Sequence, residues 1–276
     1  MSDLIVGAIA NYTSYDYINC WVNSLEMSGY KGHKMLVCSN IPQEIHDILA
    51  KKDVITVNLN TDGKFILVER FYYYWDIINQ IHNSTPLRYV IATDVSDVIF
   101  QRNPIEFLQK NLTENILAAS ESIKYKDESW GKNNLTQSFG DAVYNFNKDN
   151  VINNAGVMAG EASHMIDLFL NIFLTCGGAP RLVEGGGGPD QAAYNVLLNT
   201  ATYKNNTNFV NSEDGWAAQL GTTGPQVKDR FGPYLVEESP ILVNDTVCTS
   251  RGEPFYIVHQ YNRVPEWHKI FKGKYS

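Results

Sequence analysis

The sequence predicts an α/β fold in which a mostly parallel central sheet is flanked by helices. Residues 4–59 alternate between short apolar runs and helix-periodic segments, the order expected of a β-α-β-α-β unit. Further along, the run from Arg88 to Asp97 is apolar and β-rich and ends abruptly in two carboxylates, as a buried central strand does. No Ser- or Pro-rich linker and no internal repeat divides the 276 residues, so we expect a single domain over residues 1–276.

Three strands and three helices are predicted before the Arg88 run. The first helix carries Tyr17, Trp21 and Leu25 at i, i+4 and i+8, which is the spacing of one helical face. The third helix is rich in aromatic residues, most of which are expected in the core. The predicted strands are Leu4–Ala10, Lys34–Cys38 and Val54–Leu59, and the predicted helices run from Asp16 or Tyr17 to Met27, from Gln43 to Ala50 and from Lys64 to Ile81.

The second half of the chain continues the alternation less regularly. Ile116–Ser120 and Val151–Ala159 are predicted strands, and Glu161–Cys176 is a predicted helix. The polar stretch Glu121–Asn134 has no period, so it is either a mobile functional loop or a solvated connection. The segment Asn205–Val236 is loop-rich, and its pattern assigns no element.

The charge and the cysteines exclude several classes of protein. The formal net charge is −8 and the lysines and arginines are scattered, which argues against nucleic acid as a partner. Cys20, Cys38, Cys176 and Cys248 are far apart and lack Cys-x-x-Cys spacing, so we expect free thiols rather than a zinc site. The first apolar segment, Leu4–Ala10, is too short for a signal peptide or an anchor, so we expect a cytoplasmic protein without a transmembrane segment.

Asp94 and Asp97 follow directly on the predicted central strand. Ligands of α/β sheets bind just beyond the carboxyl ends of the strands, so these carboxylates lie where a metal and its substrate are expected. The alternative is structural, because Asp and Ser are also common turn formers and helix caps.

Three motifs downstream of Asp94 carry a resemblance to a known family. They are Asn154-Ala-Gly-Val-Met158, then Gly185-Gly-Gly-Gly-Pro-Asp-Gln191 at a predicted helix start, and finally Phe255-Tyr-Ile-Val-His259 followed by Gln260-Tyr-Asn-Arg263. In type and order they resemble motifs of nucleotide-sugar glycosyltransferases of the GT-A fold, above all the glycogenin-like and lipooligosaccharide galactosyltransferase group. The segment from Asp94 to Pro104 also resembles one in surface-glycan transferases of bacteria and large algal viruses. The resemblance spans nearly the whole chain and implies a Rossmann-like central sheet.

The resemblance implies a divalent cation bound by Asp94, Asp97 and His259. Mixed oxygen and imidazole ligation suits Mn²⁺, and Mg²⁺ is the alternative. The family's usual Asp-x-Asp has one residue between its carboxylates, whereas this chain has two, so either Ser96 or Asp97 is the second ligand. Because the chain is acidic, a diphosphate is expected to need such a cation between itself and the protein.

The resemblance also implies roles for residues elsewhere in the chain. Asp190 and Gln191 are expected beside the reacting sugar and, with Asn154, are the candidate catalytic residues; a helix cap is the structural alternative for Asp190. Arg70 is a charge inside an apolar helix, so it is expected to reach the donor or the metal-bearing carboxylates, a surface arginine being the alternative. The residues expected to contact the donor are Ala8, Ala10, Tyr12, Arg70, Asp94, Gly156, Arg263 and Lys272, with Lys269 as a weaker candidate.

On this resemblance we expect a metal-dependent hexosyltransferase of polysaccharide biosynthesis. It is expected to transfer a sugar from a nucleotide-diphosphate donor, specifically a UDP-sugar, to a glycan or glycolipid acceptor with retention of configuration. Residues 1–104 are the expected nucleotide-binding half and residues 105–276 the acceptor half. The alternative is a nucleotide- or sugar-binding module of the same fold without turnover, since a fold alone does not determine activity.

Overall fold

The computed structural model describes residues 1–276 and contains twelve strands and eleven α-helices, joined by loops and short 3₁₀ turns. The strands are β1 (Ser2–Ala10), β2 (His33–Ser39), β3 (Val54–Asn58), β4 (Leu87–Thr93), β5 (Val98–Phe100), β6 (Ile116–Lys124), β7 (Val151–Glu161), β8 (Thr207–Val210), β9 (Ala217–Gln219), β10 (Ile241–Val243), β11 (Thr246–Cys248) and β12 (Ile257–His259). The helices are α1 (Asn19–Met27), α2 (Gln43–Lys51), α3 (Ile66–Ser84), α4 (Pro104–Asn111), α5 (Ser129–Asn147), α6 (Ala162–Thr175), α7 (Asp190–Leu198), α8 (Ala201–Lys204), α9 (Leu220–Thr223), α10 (Lys228–Phe231) and α11 (Pro265–Tyr275).

Seven strands form the central sheet, in the order β3-β2-β1-β4-β7-β6-β8. Strands β1 to β4 run parallel to one another, and β8 runs parallel to β6. Only β7 runs against its neighbours, pairing antiparallel with both β4 and β6. The prediction of a mostly parallel α/β sheet flanked by helices is therefore confirmed. The sheet takes strands from both residues 1–104 and residues 105–276.

The two faces of the sheet carry separate hydrophobic cores. Because successive side chains of a strand point to opposite faces, Ile5 and Ile9 of β1 pack with residues of α1 and α2, whereas Leu4 and Val6 pack with residues of α3 and α6. The aromatic residues of α3 lie mainly in the second core, as predicted. Burial on both faces explains why the central strands are continuous apolar runs in the sequence.

A second, three-stranded sheet lies beyond the carboxyl end of β4, in the order β5-β12-β9. Strand β12 pairs antiparallel with β5 and parallel with β9. Trp267 and Phe271 of α11 belong to the hydrophobic cluster that packs against it. This small sheet joins the turn after β4 to two segments that are remote in the sequence.

The structure corrects the predicted start of the first helix. The Ser14 side chain accepts a hydrogen bond from the Asp16 N–H and begins a separate 3₁₀ turn at Tyr15–Tyr17. Helix α1 therefore begins at Asn19, and Tyr17 is 54% exposed instead of facing the core.

Two regions that the pattern left without an element contain short elements. The stretch 121–134 includes the end of β6, a 3₁₀ turn and the start of α5. Three element types in so short a stretch cannot share one period. The segment 205–236 contains β8, β9, α9 and α10, each of four residues or fewer.

All four cysteines are free, as predicted, and all four are buried. None of the helices combines the length and the apolar composition that crossing a membrane requires.

Candidate functional site

A cavity of about 560 Å³ opens at the carboxyl edge of the parallel strands. Gly7 of β1 pairs with Thr93 of β4, so the residues that follow them leave the sheet at the same edge. This is the edge at which α/β sheets bind ligands. The cavity is lined by most of the predicted site residues, namely Arg70, Asp94, Asp97, Asn154, Gly156, Asp190, Gln191, His259 and Arg263.

The small sheet brings His259 to the two strand-end carboxylates. His259 pairs with Val98 across β12 and β5, and the N–H of the following Gln260 donates to the Asp97 carbonyl oxygen at 2.7 Å. The His259 Nε2 atom lies 3.4 Å from Asp94 Oδ2 and 3.7 Å from Asp97 Oδ1. One ligand atom from each of the three residues lies within 4.8 Å of the others. The structure thus joins Asp97 to Asp94 and His259 in one cluster.

Gln219 fixes the orientation of the His259 ring. The two residues are direct partners across β9 and β12, and His259 Nδ1 lies 2.8 Å from Gln219 Oε1. Because an amide oxygen only accepts hydrogen bonds, Nδ1 carries the proton of this contact. The Nε2 atom is then directed at the carboxylates, which is the arrangement in which a metal-binding histidine is held by its second nitrogen.

The chemistry of this cluster fits a divalent cation. Two carboxylates and an imidazole provide the hard oxygen and nitrogen donors that Mn²⁺ accepts. Burial works against the charge on His259, but Asp97 and Asp94 outweigh it and raise its pKa. Burial raises the pKa of the Asp97 carboxyl despite the opposing effect of His259. The three groups therefore act electrostatically on one another across the space in which a cation would lie.

Arg70 links the cluster to the start of α7. The side chain is 6% exposed, so the surface alternative is wrong. Its guanidinium donates from Nη1 to Asp94 Oδ1 at 2.5 Å and from Nη2 to Asp190 Oδ2 at 3.0 Å. Burial opposes ionisation of Asp94, but Arg70 and then His259 hold the pKa of this carboxyl well below its usual range. Arg70 thus holds two carboxylates of the cavity lining, one after β4 and one at the start of α7.

Asp190 does not cap α7. The helix begins at Asp190 itself, its N-cap position is Pro189, and no side-chain capping bond is formed. The Asp190 carboxylate turns to Arg70 instead, and burial outweighs that contact to raise its pKa. The capping interpretation is therefore wrong, and the carboxylate faces the cavity.

Glu121 forms a network with two of the predicted catalytic residues. Its Oε1 atom accepts hydrogen bonds from Asn154 Nδ2 at 2.6 Å and from Gln191 Nε2 at 2.9 Å. Gln191 Oε1 accepts in turn from the Ala155 N–H at 3.2 Å. Glu121 was missed in the sequence because it begins an aperiodic polar stretch. Its position directly after the predicted strand Ile116–Ser120 was the available signal.

Gly156 allows the carboxylates and the imidazole to approach the sheet. A Cβ atom at this position would lie 2.5 Å from His259 Cε1, 2.8 Å from Asp94 Oδ2 and 2.8 Å from Asn154 Oδ1. Real side chains do not approach this closely, so only glycine leaves room for the cluster.

The glycine-rich segment before α7 forms one wall of the cavity. Gly185, Gly186 and Gly187 have φ angles of 88°, 89° and 92°, a region that favours glycine. The Trp130 indole N–H donates to the Gly186 carbonyl oxygen at 3.2 Å. An aromatic ring therefore lies against this wall of the cavity.

Four predicted donor contacts do not line the cavity. Ala8, Ala10 and Tyr12 lie at or just beyond the end of β1, beside the cavity, where Tyr12 packs on Tyr17 with ring centroids 5.3 Å apart. Lys272 belongs to α11, and its side chain lies beside the beginning of α1. There its Nζ donates to the Asp16 carbonyl oxygen and to Asn19 Oδ1. These contacts join α11 to α1. The weaker candidate Lys269 is exposed on α11.

Tyr12 lies within electrostatic range of the Asp94, Asp97 and His259 cluster. Burial raises the pKa of Tyr12, and the charges of Asp94 and Asp97 act in the same direction. The Tyr12 side chain beyond β1 is therefore near the carboxylates that follow β4.

Comparison of the sequence with models of protein families gives no match, and a search of curated proteins gives none either.

Proposed function

We propose that this chain is a metal-dependent glycosyltransferase of the GT-A type that transfers a sugar from a UDP-sugar to a glycan or glycolipid acceptor. One observation carries the proposal. The cation-binding cluster of Asp94, Asp97 and His259 shares a cavity and the carboxylate of Asp94 with the Arg70–Asp190 pair. A diphosphate sugar needs both parts, because its phosphates require positive charge and its hydroxyls require fixed acceptors.

The charge of the cavity supports dependence on a metal. Five carboxylates and three arginines line it, and one of those arginines, Arg70, is already bound to two of the carboxylates. A nucleoside diphosphate would add further negative charge. When bound by Asp94, Asp97 and His259, a divalent cation supplies electrostatic stabilisation of the charge that develops on the leaving diphosphate.

The chain's own residues bind and orient the donor in this proposal. The Asp190 carboxylate, fixed by Arg70, accepts hydrogen bonds from the sugar hydroxyls. Arg263, at the edge of the cavity, binds the diphosphate, and the ring of Tyr12 stacks on the uracil base. The side-chain amides of Gln191 and Asn154 both donate to Glu121, and Gln191 also accepts from the backbone. These bonds hold the base of the cavity rigid beneath the sugar.

Calorimetry with UDP tests the metal linkage. UDP is expected to bind in the presence of Mn²⁺ and to lose at least about tenfold in affinity in EDTA, since the loss of about 1.4 kcal/mol of attraction to the cation is already a factor of ten. Asp97→Asn should lose the Mn²⁺ dependence. Asp245→Asn, in the exposed turn between β10 and β11, is the matched control and should keep it. Equal affinity with and without Mn²⁺ would refute the metal bridge.

Turnover distinguishes an enzyme from a binding module of the same fold. UDP-glucose and UDP-galactose are incubated with Mn²⁺, with and without oligosaccharide acceptors, and release of UDP is followed by mass spectrometry. Slow release without acceptor and faster release with it would support a transferase. Metal-dependent UDP binding without any release would identify a binding module instead.

A further inference from the structure

Glu121 differs from the other four carboxylates of the cavity. Asp94 and Asp97 belong to the cation-binding cluster, and Asp190 is bound to Arg70. Glu128 caps α5, where its two oxygens accept from the N–H groups of the first turn. Glu121 alone is held only by neutral amides.

One carboxylate oxygen of Glu121 has no hydrogen-bond partner in the protein and is accessible from the cavity. Oε1 accepts from Asn154 and Gln191, whereas Oε2 makes no hydrogen bond to the protein and is not enclosed. The residue is 6% exposed yet lines the cavity, so its accessible surface faces the place where a sugar would bind. The backbone is held as well, since the Thr222 hydroxyl donates to the Glu121 carbonyl oxygen at 2.8 Å.

Gln191 and Asn154 are not equally free. The Gln191 amide donates to Glu121 and accepts from the Ala155 N–H. The Asn154 amide donates to Glu121 and accepts from the Gly156 N–H at 2.6 Å. Both amides are thus committed to holding Glu121, and neither can attack a sugar without breaking the network.

We infer that Glu121 Oε2 is the nucleophile of the transfer, so that the sugar passes through a covalent ester on this residue. The inference rests on the proposed function and specifies its mechanism. In the first step Oε2 forms a bond to the anomeric carbon as the bond from that carbon to the diphosphate oxygen breaks, and the electron pair leaves with UDP.

In the second step the acceptor hydroxyl oxygen bonds to the anomeric carbon, and the ester bond breaks with its electron pair returning to Glu121. The hydroxyl proton passes to the diphosphate of the bound UDP. Two successive inversions give retention of configuration, as in retaining glycosidases that use a carboxylate nucleophile.

The environment of Glu121 increases its basicity. Burial raises the pKa of Glu121 to about 7, with the charge of Glu128 adding to the increase and Asn154, Gln191 and His259 opposing it. A carboxylate that is less stabilised by charged partners is a stronger nucleophile once ionised. The attack therefore requires a pH near or above neutrality.

Two substitutions of Glu121 test the assignment. Glu121→Gln keeps an acceptor for both amides and should fold, yet it should lower turnover by about 10³-fold or more with UDP binding in Mn²⁺ unchanged. Glu121→Ala opens space for azide, which should restore UDP release and form a glycosyl azide of inverted configuration. Glu114→Gln, at an exposed position between α4 and β6, removes the same charge away from the cavity and is the matched control, and its turnover should equal that of the wild type.

The outcomes separate this inference from the proposed function. Loss of turnover in Glu121→Gln, azide product with Glu121→Ala and retained configuration in the wild-type product together support it. Activity of Glu121→Gln above about a tenth of wild type, an inverted wild-type product, or a folded Glu121→Ala that gives no azide product would each overturn it. A wild-type chain that releases no UDP would overturn both the proposed function and the inference.

Discussion

Replacing Glu121 by glutamine is expected to stabilise the protein at neutral and alkaline pH. The carboxyl is 6% exposed, and burial raises its pKa to about 7. An increase from the ordinary value of 4.5 to about 7 makes ionisation in the folded protein about 3 kcal/mol less favourable than in the unfolded chain. Glutamine keeps the acceptor for Asn154 and Gln191 but never ionises, so it avoids this cost.

The sign of the effect depends on pH. The folded protein favours protonated Glu121, so the stability that this group contributes is complete below about pH 4.5 and is lost as the pH rises through about 7. Glu121→Gln does not ionise at this position, so it loses no stability from this group over the same pH range. The other groups that face Glu121, namely Glu128 and His259, are present in both proteins. The advantage of Glu121→Gln should therefore grow by about 2 to 3 kcal/mol between pH 5 and pH 8.

Urea denaturation at pH 5 and pH 8, followed by circular dichroism, measures this difference. Glu114→Gln, at an exposed position between α4 and β6, controls for the loss of one negative charge from an acidic protein. The reasoning is refuted if the difference between Glu121→Gln and wild type is the same at both pH values. A variant less stable than wild type at pH 8 would refute it more directly, since Glu121 would then be a stabilising structural acceptor.

Three other substitutions test the cavity. Gln219→Ala removes the acceptor that orients the His259 ring and should weaken Mn²⁺ binding by about 10- to 100-fold in calorimetry, with the fold preserved in circular dichroism. Gly156→Ala forces a Cβ into the cluster and should abolish Mn²⁺-linked UDP binding, whereas Gly273→Ala, which meets nothing within 4 Å, should not change it. Asp190→Asn removes the charge of a buried ion pair and should cost on the order of 3 kcal/mol in urea denaturation and at least about tenfold in kcat/KM. Unaltered stability and kinetics in Asp190→Asn would contradict both roles of that carboxylate.

The parts of the site that follow strands in the sequence were predictable. Asp94 and Asp97 end an apolar run, and a parallel sheet directs such strand ends to one edge. The early elements were predictable for the same reason, since burial on both faces leaves a continuous apolar run for each strand. These properties depend on residues that are neighbours in the sequence, so the sequence alone predicts them.

Gln219 could not be predicted because its role depends on pairing between distant segments. It orients His259 from 40 residues away, through a three-residue strand inside a loop-rich region. Strands this short show no alternation in the sequence. The contacts of Lys272 could not be predicted for the related reason that they depend on the packing of α11 against α1, where Lys272 Nζ donates to the backbone oxygen of Asp16.

The contrast between Glu121 and Asp190 shows how the cavity combines stability with chemistry. Asp190 is paired with the buried Arg70, so its removal would leave part of that guanidinium without a partner and should cost both stability and turnover. Glu121 has no cationic partner and is held in place by two amides, so its charge is a cost to the fold. A residue that destabilises the protein and yet is held rigidly in a ligand-sized cavity is typical of a functional group, because sites shaped for reaction sacrifice stability. Glu121→Gln should therefore gain stability and lose turnover together, a combination that a structural carboxylate cannot give.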